Sequence, residues 1–250
     1  MTGQFQDHFS ARAAGYATFR PSYPDQLFEW LAQNSPGRDV AWDCATGSGQ
    51  AALGLAPFFR RVVATDASPS QLANAKPAPG VEYREAPGEA SGLADRSIDL
   101  VTVAQALHWL DRPKFFAEAA RVLRPRGLLA CWMYSVMQVG AEFDRVVLRL
   151  YTDIVGPFWP GDRILIDQDY RTIEFPFPEF EPPRFEMIVE WSFGQVMGYL
   201  RTWSAVTRYL DANGHDPVAL VESDLLAIWG DPSRSRVVRW PLVLRVARPN

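Results

Sequence analysis

Two acids and a glycine bend carry the chemical signal of this chain. The run Asp43-Cys44-Ala45-Thr46-Gly47-Ser48-Gly49-Gln50 follows a short apolar segment and opens onto a stretch rich in alanine. Glycine admits positive φ and lets backbone approach a ligand closely. A helix starting behind the bend would offer unpaired N–H groups. Asp66 ends the next apolar run, seventeen residues after Gly49. A carboxylate at the end of a second strand can accept hydrogen bonds from both hydroxyls of a ribose. The segment Gly47-Ser48-Gly49-Gln50-Ala51-Ala52 also fits the G-x-G-x-x-A fingerprint, which places a pyrophosphate on the loop. Asp43 argues against that ligand, because its charge would face the diphosphate, and it suits an ammonium instead. An NAD(P)-dependent oxidoreductase stays open as an alternative, as does a cofactor-binding protein without catalysis.

The elements that must position these groups follow from the pattern. Leu27, Trp30 and Leu31 stand at helical spacing between Pro24 and Asn34. Short apolar runs at 40–45, 61–66, 81–84, 97–103 and 128–133 read as strands one to five. Helices are expected at 51–59, after Ser68-Pro69 with Ser68 as N-cap, and at 112–122, and a tight turn over 124–127. Strands alternating with helices at short spacing predict a parallel α/β sheet. Asp43, Asp66, Glu89 and Gln105 all fall at or just past strand ends, where such a sheet binds its ligand. Beyond Tyr134, helical patterns at 141–154, 194–213 and 217–229 surround strands at 185–191 and 237–246. Pro241 cannot donate to a ladder, so it favours an edge or a bulge.

Asp43-x-Ala45-x-Gly47-x-Gly49 resembles the first motif of the class I S-adenosylmethionine-dependent methyltransferases, with Ala45 where glycine is usual. Residues 63–68, 95–101 and 121–127 resemble the later motifs, in the right order. Phe9 to Pro24, the run Gln105-Ala106-Leu107-His108-Trp109, and Tyr199 with Trp203 and Ser204 are similar to the trans-aconitate methyltransferase-like group. The resemblance implies a doubly wound, mostly parallel seven-stranded sheet of the Rossmann-like methyltransferase fold, with an antiparallel C-terminal strand and helical cap elements. It implies one domain over 1–250: a cofactor-binding core at about 38–135, an N-terminal lid at about 1–24, caps at about 136–183 and 194–230, and closing strands at about 184–192 and 236–248.

The resemblance further implies S-adenosylmethionine as cofactor and a small-molecule acceptor, a carboxylate or related compound. Asp43, Ala45, Gly47 and Gly49 would hold the methionine end and Asp66, with Ala67, the ribose. Pro87, Gly88 and Glu89 would lie near the adenine, and Gln105 near the methionine moiety. Tyr16 and Arg20 would close over the cofactor, Arg20 pairing with its carboxylate. His108, just past strand four, is the candidate general base or acceptor-orienting group. Arg163, Arg171, Arg201 and Arg208 are candidate partners for an acceptor carboxylate.

Composition narrows the partners. A net charge of -4 suggests no electrostatic hold on nucleic acid. Two cysteines, Cys44 and Cys131, both in apolar runs, form no metal or disulfide pattern. No apolar run approaches the roughly 18 residues needed to span a bilayer, and the start of the chain lacks the apolar core of a signal peptide. A cytoplasmic protein without membrane or nucleic-acid partners is expected, and no metal.

Overall fold

Short β-branched and aromatic runs become strands because each can bury both faces between layers of helix. A computed structural model describes residues 21–249. Five strands run parallel: β1 (Val40–Cys44), β2 (Arg61–Asp66), β3 (Val81–Glu85), β4 (Ile98–Ala104) and β5 (Leu123–Met133). The long β8 (Arg236–Ala247) lies antiparallel to β5, to β6 (Glu179–Phe180) and to β7 (Phe185–Trp191). The order is β3-β2-β1-β4-β5-β8-β6, with β7 also paired to β8. This is the Rossmann-like methyltransferase architecture, mostly parallel with an antiparallel C-terminal strand. The sheet reverses direction of growth at β1, whose neighbours are β2 and β4. Ligands of open α/β sheets bind at that switch point, outside the carboxyl ends of the strands.

The helices on the parallel part are α1 (Asp25–Asn34), α2 (Gln50–Leu55), α3 (Pro69–Leu72) and α4 (Arg112–Val122). Ser68 caps α3, accepting from Gln71 N, with Pro69 at the first helical position. The two sheet faces make two cores. One gathers Leu27, Phe28, Leu128 and Trp132, the other Trp42, Leu107, Phe115 and Leu129. Each fully buried aromatic or leucine contributes about 2–3 kcal/mol relative to exposure. After β5 come α5 (Ala141–Arg149), a π turn over Leu150–Ile154, α6 (Arg163–Asp167), α7 (Phe193–Arg201), α8 (Ser204–Asn213) and α9 (Ala219–Trp229). Among the described residues, no helix is long and apolar enough to cross a membrane.

Three details differ from the pattern reading. The sheet has eight strands among the described residues rather than seven, because Glu179–Phe180 pairs with Ala247 and Val246. Two residues are too few to show a period. The turn over 124–127 lies inside β5: opposite Ile98 and Leu100 stand Leu123 and Leu128, so the extra residues bulge out through Arg126, at φ 66°. Pro241 falls, as its missing N–H favours, where β8 has β7 alone beside it, just before β5 takes up the pairing from Val243 onward. The single helical pattern over 194–213 is two helices, broken where the Thr202 hydroxyl donates to Tyr199 O at 2.6 Å. A side-chain bond to the preceding turn competes with continuation of the helix.

Candidate active site

The site grows from the carboxyl ends of β1 and β2. Asp43 is fully buried. Its register partner on β4 is Thr102, so both side chains leave the sheet on one face, and Thr102 Oγ1 donates to Asp43 Oδ1 at 2.8 Å. Thr46, on the loop, donates its hydroxyl to Asp43 Oδ2 at 2.5 Å. Among the described residues no basic side chain pairs with Asp43. Burial pushes its carboxyl up from 3.8 to about 6, against the pull of the two threonine hydroxyls and the Ala52 amide, with the nearby Asp66 charge adding to the rise. A buried acid opposed only by neutral donors is an unbalanced charge, and it fits a cationic group better than a phosphate.

Asp66 ties the loop to β2. Its Oδ2 accepts from Gly47 N at 2.8 Å and its Oδ1 from Ser68 N at 2.8 Å. The two acids and the glycine bend therefore meet at one lip of the sheet. Three residues of the bend have positive φ: Ala45 at 54°, Gly47 at 58° and Gly49 at 86°. Ala45 thus occupies, as alanine, the left-handed region that glycine enters without cost, at a penalty of about 1–2 kcal/mol. Gly49 is needed for a second reason. A Cβ there would lie 2.3 Å from the hydroxyl of Tyr83, which caps the bend from β3 and donates to Lys76 O at 3.0 Å. Ala67 follows Asp66 half-buried.

The third wall is the loop after β3. Gly88 is buried, and a Cβ on it would meet Cys44 Sγ at 2.7 Å and Leu110 Cδ2 at 3.0 Å, so this loop lies directly on the end of β1. Pro87 beside it is exposed, and half-buried Glu89 accepts from Asp111 N at 2.8 Å. Ser91 anchors the loop through its amide and hydroxyl, both donating to Glu118 at 2.8 and 2.5 Å, and Arg121 holds Glu118 in turn. Gln105 ends β4 with φ 57°. Its amide is spent on the backbone of Tyr134: Nε2 donates to Tyr134 O at 2.8 Å and Oε1 accepts from Tyr134 N at 2.9 Å. That double bond clamps the ends of β4 and β5 together rather than presenting the side chain to a ligand.

His108 lies on the short turn Leu107–Trp109 after β4 and is 5% exposed. Its Nδ1 is 2.8 Å from the Tyr170 hydroxyl. Burial, then the charges of Arg163 and Arg112, lower its pKa to about 3. The imidazole is neutral at neutral pH but binds a proton so weakly that it makes a poor general base, which leaves the acceptor-orienting role of the two expected for His108. Of the four arginines, Arg201 pairs with Asp216 and Glu222 and exposed Arg171 with Asp169. Arg208 donates to Phe158 O at 3.4 Å. Arg163 is half-buried, its guanidinium 4.5 Å from the Trp159 ring centroid and its Nε donating to the Tyr151 hydroxyl at 2.7 Å. Tyr16 and Arg20 lie outside the described residues. Sequence reasoning missed Thr46, Thr102 and Tyr83. The hydroxyl side chains opposite and after Asp43 were the readable sign for the first two, but Tyr83 offers none before β3 is placed beside the bend. Among the described residues no cluster of His, Cys, Asp and Glu could hold a metal ion.

The fold and this lip define a class: an open α/β sheet with two acids and a glycine bend gathered at its switch point. A family model for the methyltransferase domain matches residues 42–131. A Dictyostelium discoideum protein assigned as a methyltransferase is 33% identical over 227 residues, covering 89% of this chain and 86% of its own. A Saccharomyces cerevisiae protein assigned as an S-adenosylmethionine-dependent methyltransferase is 30% identical over 131 residues, covering 49% of this chain and 45% of its own. The solved structure of a protein assigned as a type II methyltransferase from Anaeromyxobacter dehalogenans superposes with a TM-score of 0.87 at 44% identity, over 92% of this chain and 98% of that one. The chain belongs to the class I S-adenosylmethionine-dependent methyltransferases.

Proposed function

We propose that this protein binds S-adenosylmethionine at the lip between β1 and β2 and transfers its methyl group to a small molecule. One observation carries the reading most directly. Asp43 is a fully buried acid whose only opposing side chains among the described residues are two threonine hydroxyls, so a cationic α-ammonium would restore its balance. Asp66 stands across the bend, bonded to Gly47, where a ribose would meet it. Gly49, at φ 86° and pressed under Tyr83, holds the bend in a shape that no other residue could take without displacing that ring. The loop carrying Gly88 and Glu89 would flank the adenine. The bound sulfonium supplies an electrophilic methyl group, so the protein need only align the acceptor and exclude water.

A dinucleotide is disfavoured by the same geometry, because the buried, uncompensated Asp43 would stand beside a pyrophosphate on the bend. A carboxylate is the acceptor that the likeness to the trans-aconitate methyltransferase-like group points to, and it asks for no base. Titration calorimetry with S-adenosylmethionine and S-adenosylhomocysteine tests the reading. Micromolar-range heats are expected for both, and folded protein that binds neither overturns it. Protection against thermal unfolding by NAD or NADP instead would favour the oxidoreductase.

A further inference from the structure

The hydrogens of the His108–Tyr170 pair can be placed by elimination. Tyr170 is fully buried, and among the described residues the one side-chain hydrogen-bond partner of its hydroxyl is His108 Nδ1, at 2.8 Å. If Nδ1 carried the hydrogen, the phenol oxygen would accept it and its own O–H would be left without an acceptor. Such an orphan costs about 1–3 kcal/mol. The main-chain amides of His108 and Leu107 sit beside the same oxygen and favour negative charge on it, so its lone pairs already face donors. The phenol therefore donates to Nδ1, and the imidazole hydrogen sits on Nε2.

Nε2 has no partner among the described residues, yet it is not sealed from solvent: among those residues the one side-chain polar atom that is both sealed and unpartnered is Trp132 Nε1. The Nε2–H group thus opens onto accessible space from a residue that is otherwise 5% exposed. The surroundings hold Tyr170 firmly. Asp169 and Tyr170 are consecutive non-glycine residues at φ 54° and 56°. Strain of that kind persists where the surroundings over-determine it. Arg245 supplies the restraint, its Nη1 donating to Tyr170 O and Ile173 O at 2.6 Å each while Glu179 grips the same guanidinium. α6 packs against the turn that carries His108, and brings Arg163 with it. Arg163 is oriented by Tyr151, Trp159 and Asp167, whose Oδ1 lies 3.8 Å from its Nε, and its two terminal amino groups make no hydrogen bond among the described residues.

We infer that Tyr170 is a positioning residue that locks His108 as an Nε2–H donor, and that this donor and Arg163 together receive an oxyanion of the methyl acceptor. The inference rests on the methyltransferase reading. It names the acceptor class by chemistry: a small molecule bearing an oxygen already ionised at neutral pH, of which carboxylates are the common case. The acceptor oxygen forms the new bond to carbon as the sulfur–methyl bond breaks. Sulfur keeps that electron pair, the two charges cancel, and no proton moves. A neutral hydroxyl or ammonium acceptor would need a base, and His108 has neither nitrogen available for that work.

The test reads the imidazole directly. Long-range nitrogen–proton correlation spectra of protein carrying isotope-labelled histidine separate the two tautomers, with variants at His8 and His215 assigning the three residues. Tyr170, Arg163 and Arg112 are the groups whose dipole and charges face His108. The expected result is a neutral Nε2–H tautomer from about pH 8 down to about pH 4, well below the ordinary histidine range. Tyr170→Phe should mix the tautomers and raise the acceptor KM severalfold, while leaving affinity for S-adenosylhomocysteine unchanged. With S-adenosylhomocysteine present, acetate, succinate and citrate should include a ligand that shifts the Nε2–H resonance, and acetamide and succinamide should not shift it. An Nδ1–H tautomer, or titration near pH 6.5, overturns the lock. Amides acting as strongly as carboxylates, or no carboxylate acting at all, overturns the anion seat. Heat on S-adenosylhomocysteine binding in the same samples reports separately on the methyltransferase reading, and the wild-type spectrum decides the tautomer even if Tyr170→Phe fails to fold.

Discussion

Asp43→Asn should make the protein more stable and a worse binder, and the two effects should trade with pH. Burial lifts the Asp43 carboxyl from 3.8 to about 6. An acid whose folded value lies above its unfolded value favours the fold when protonated. Its ionisation therefore costs nothing below about pH 4 and costs about 3 kcal/mol above about pH 6. Asparagine keeps the shape and can still accept from Thr102 while turning its NH2 toward Thr46. At pH 8, without cofactor, the variant should unfold at higher urea than wild type, by up to about 3 kcal/mol, and this advantage should vanish toward pH 4. Cofactor binding should run the other way. Wild-type affinity for S-adenosylmethionine should be flat just above pH 6 and fall by up to about tenfold per pH unit below it, as Asp43 must be ionised to meet an ammonium. The variant should lack that acid limb and bind about 10–100-fold more weakly at neutral pH, the worth of a charged hydrogen bond. Chemical denaturation and calorimetry across pH measure both. Equal affinities, or a variant whose stability tracks wild type at every pH, would refute the unbalanced charge on which the assignment rests.

Other substitutions probe the remaining contacts. Asp66→Ala removes the acceptor of Gly47 N and Ser68 N; it should weaken cofactor binding about tenfold or more in calorimetry and lower stability by about 1–3 kcal/mol in urea unfolding. Gly49→Ala puts a Cβ 2.3 Å from the Tyr83 hydroxyl at φ 86°; thermal unfolding should show a loss of about 2 kcal/mol or more, of which adding Tyr83→Leu should recover the steric share. Gln105→Leu severs both bonds to the Tyr134 backbone; it should cost about 1–3 kcal/mol by the same assay, with S-adenosylhomocysteine affinity falling less than in Asp66→Ala. Ala45→Gly relieves a left-handed alanine at φ 54° but frees the unfolded chain, so stability should change by less than about 1 kcal/mol in urea unfolding.

Much of the frame was legible in the chain because it is local. Parallel strands buried on both faces show as short apolar runs, and the bend at Gly47 and Gly49 announces itself by composition. Strand order placed Asp43 and Asp66 at one lip before any geometry was known. What was hidden depends on registers between distant segments. Gln105 reads as a ligand-facing polar residue until β5 arrives beside it and its amide is taken by Tyr134. His108 reads as a base until Tyr170, far along the chain, occupies its Nδ1 and burial weakens its hold on a proton. Among the arginines, composition offers four equals, and the folded chain pairs Arg201, Arg171 and Arg163 with acids, Arg163 through Nε alone, so that its outer nitrogens make no hydrogen bond among the described residues.

The amino-acid order alone determined the alternation of strand and helix, the glycine bend and the acids at the strand ends, since each follows from neighbours a few residues apart. Only the tertiary structure decided what each polar group does: the charge state of Asp43, the clamp at Gln105, the tautomer of His108 and the orientation of Arg163. Protonation and hydrogen-bond saturation depend on desolvation and on partners brought from tens of residues away, and no window of sequence contains that information.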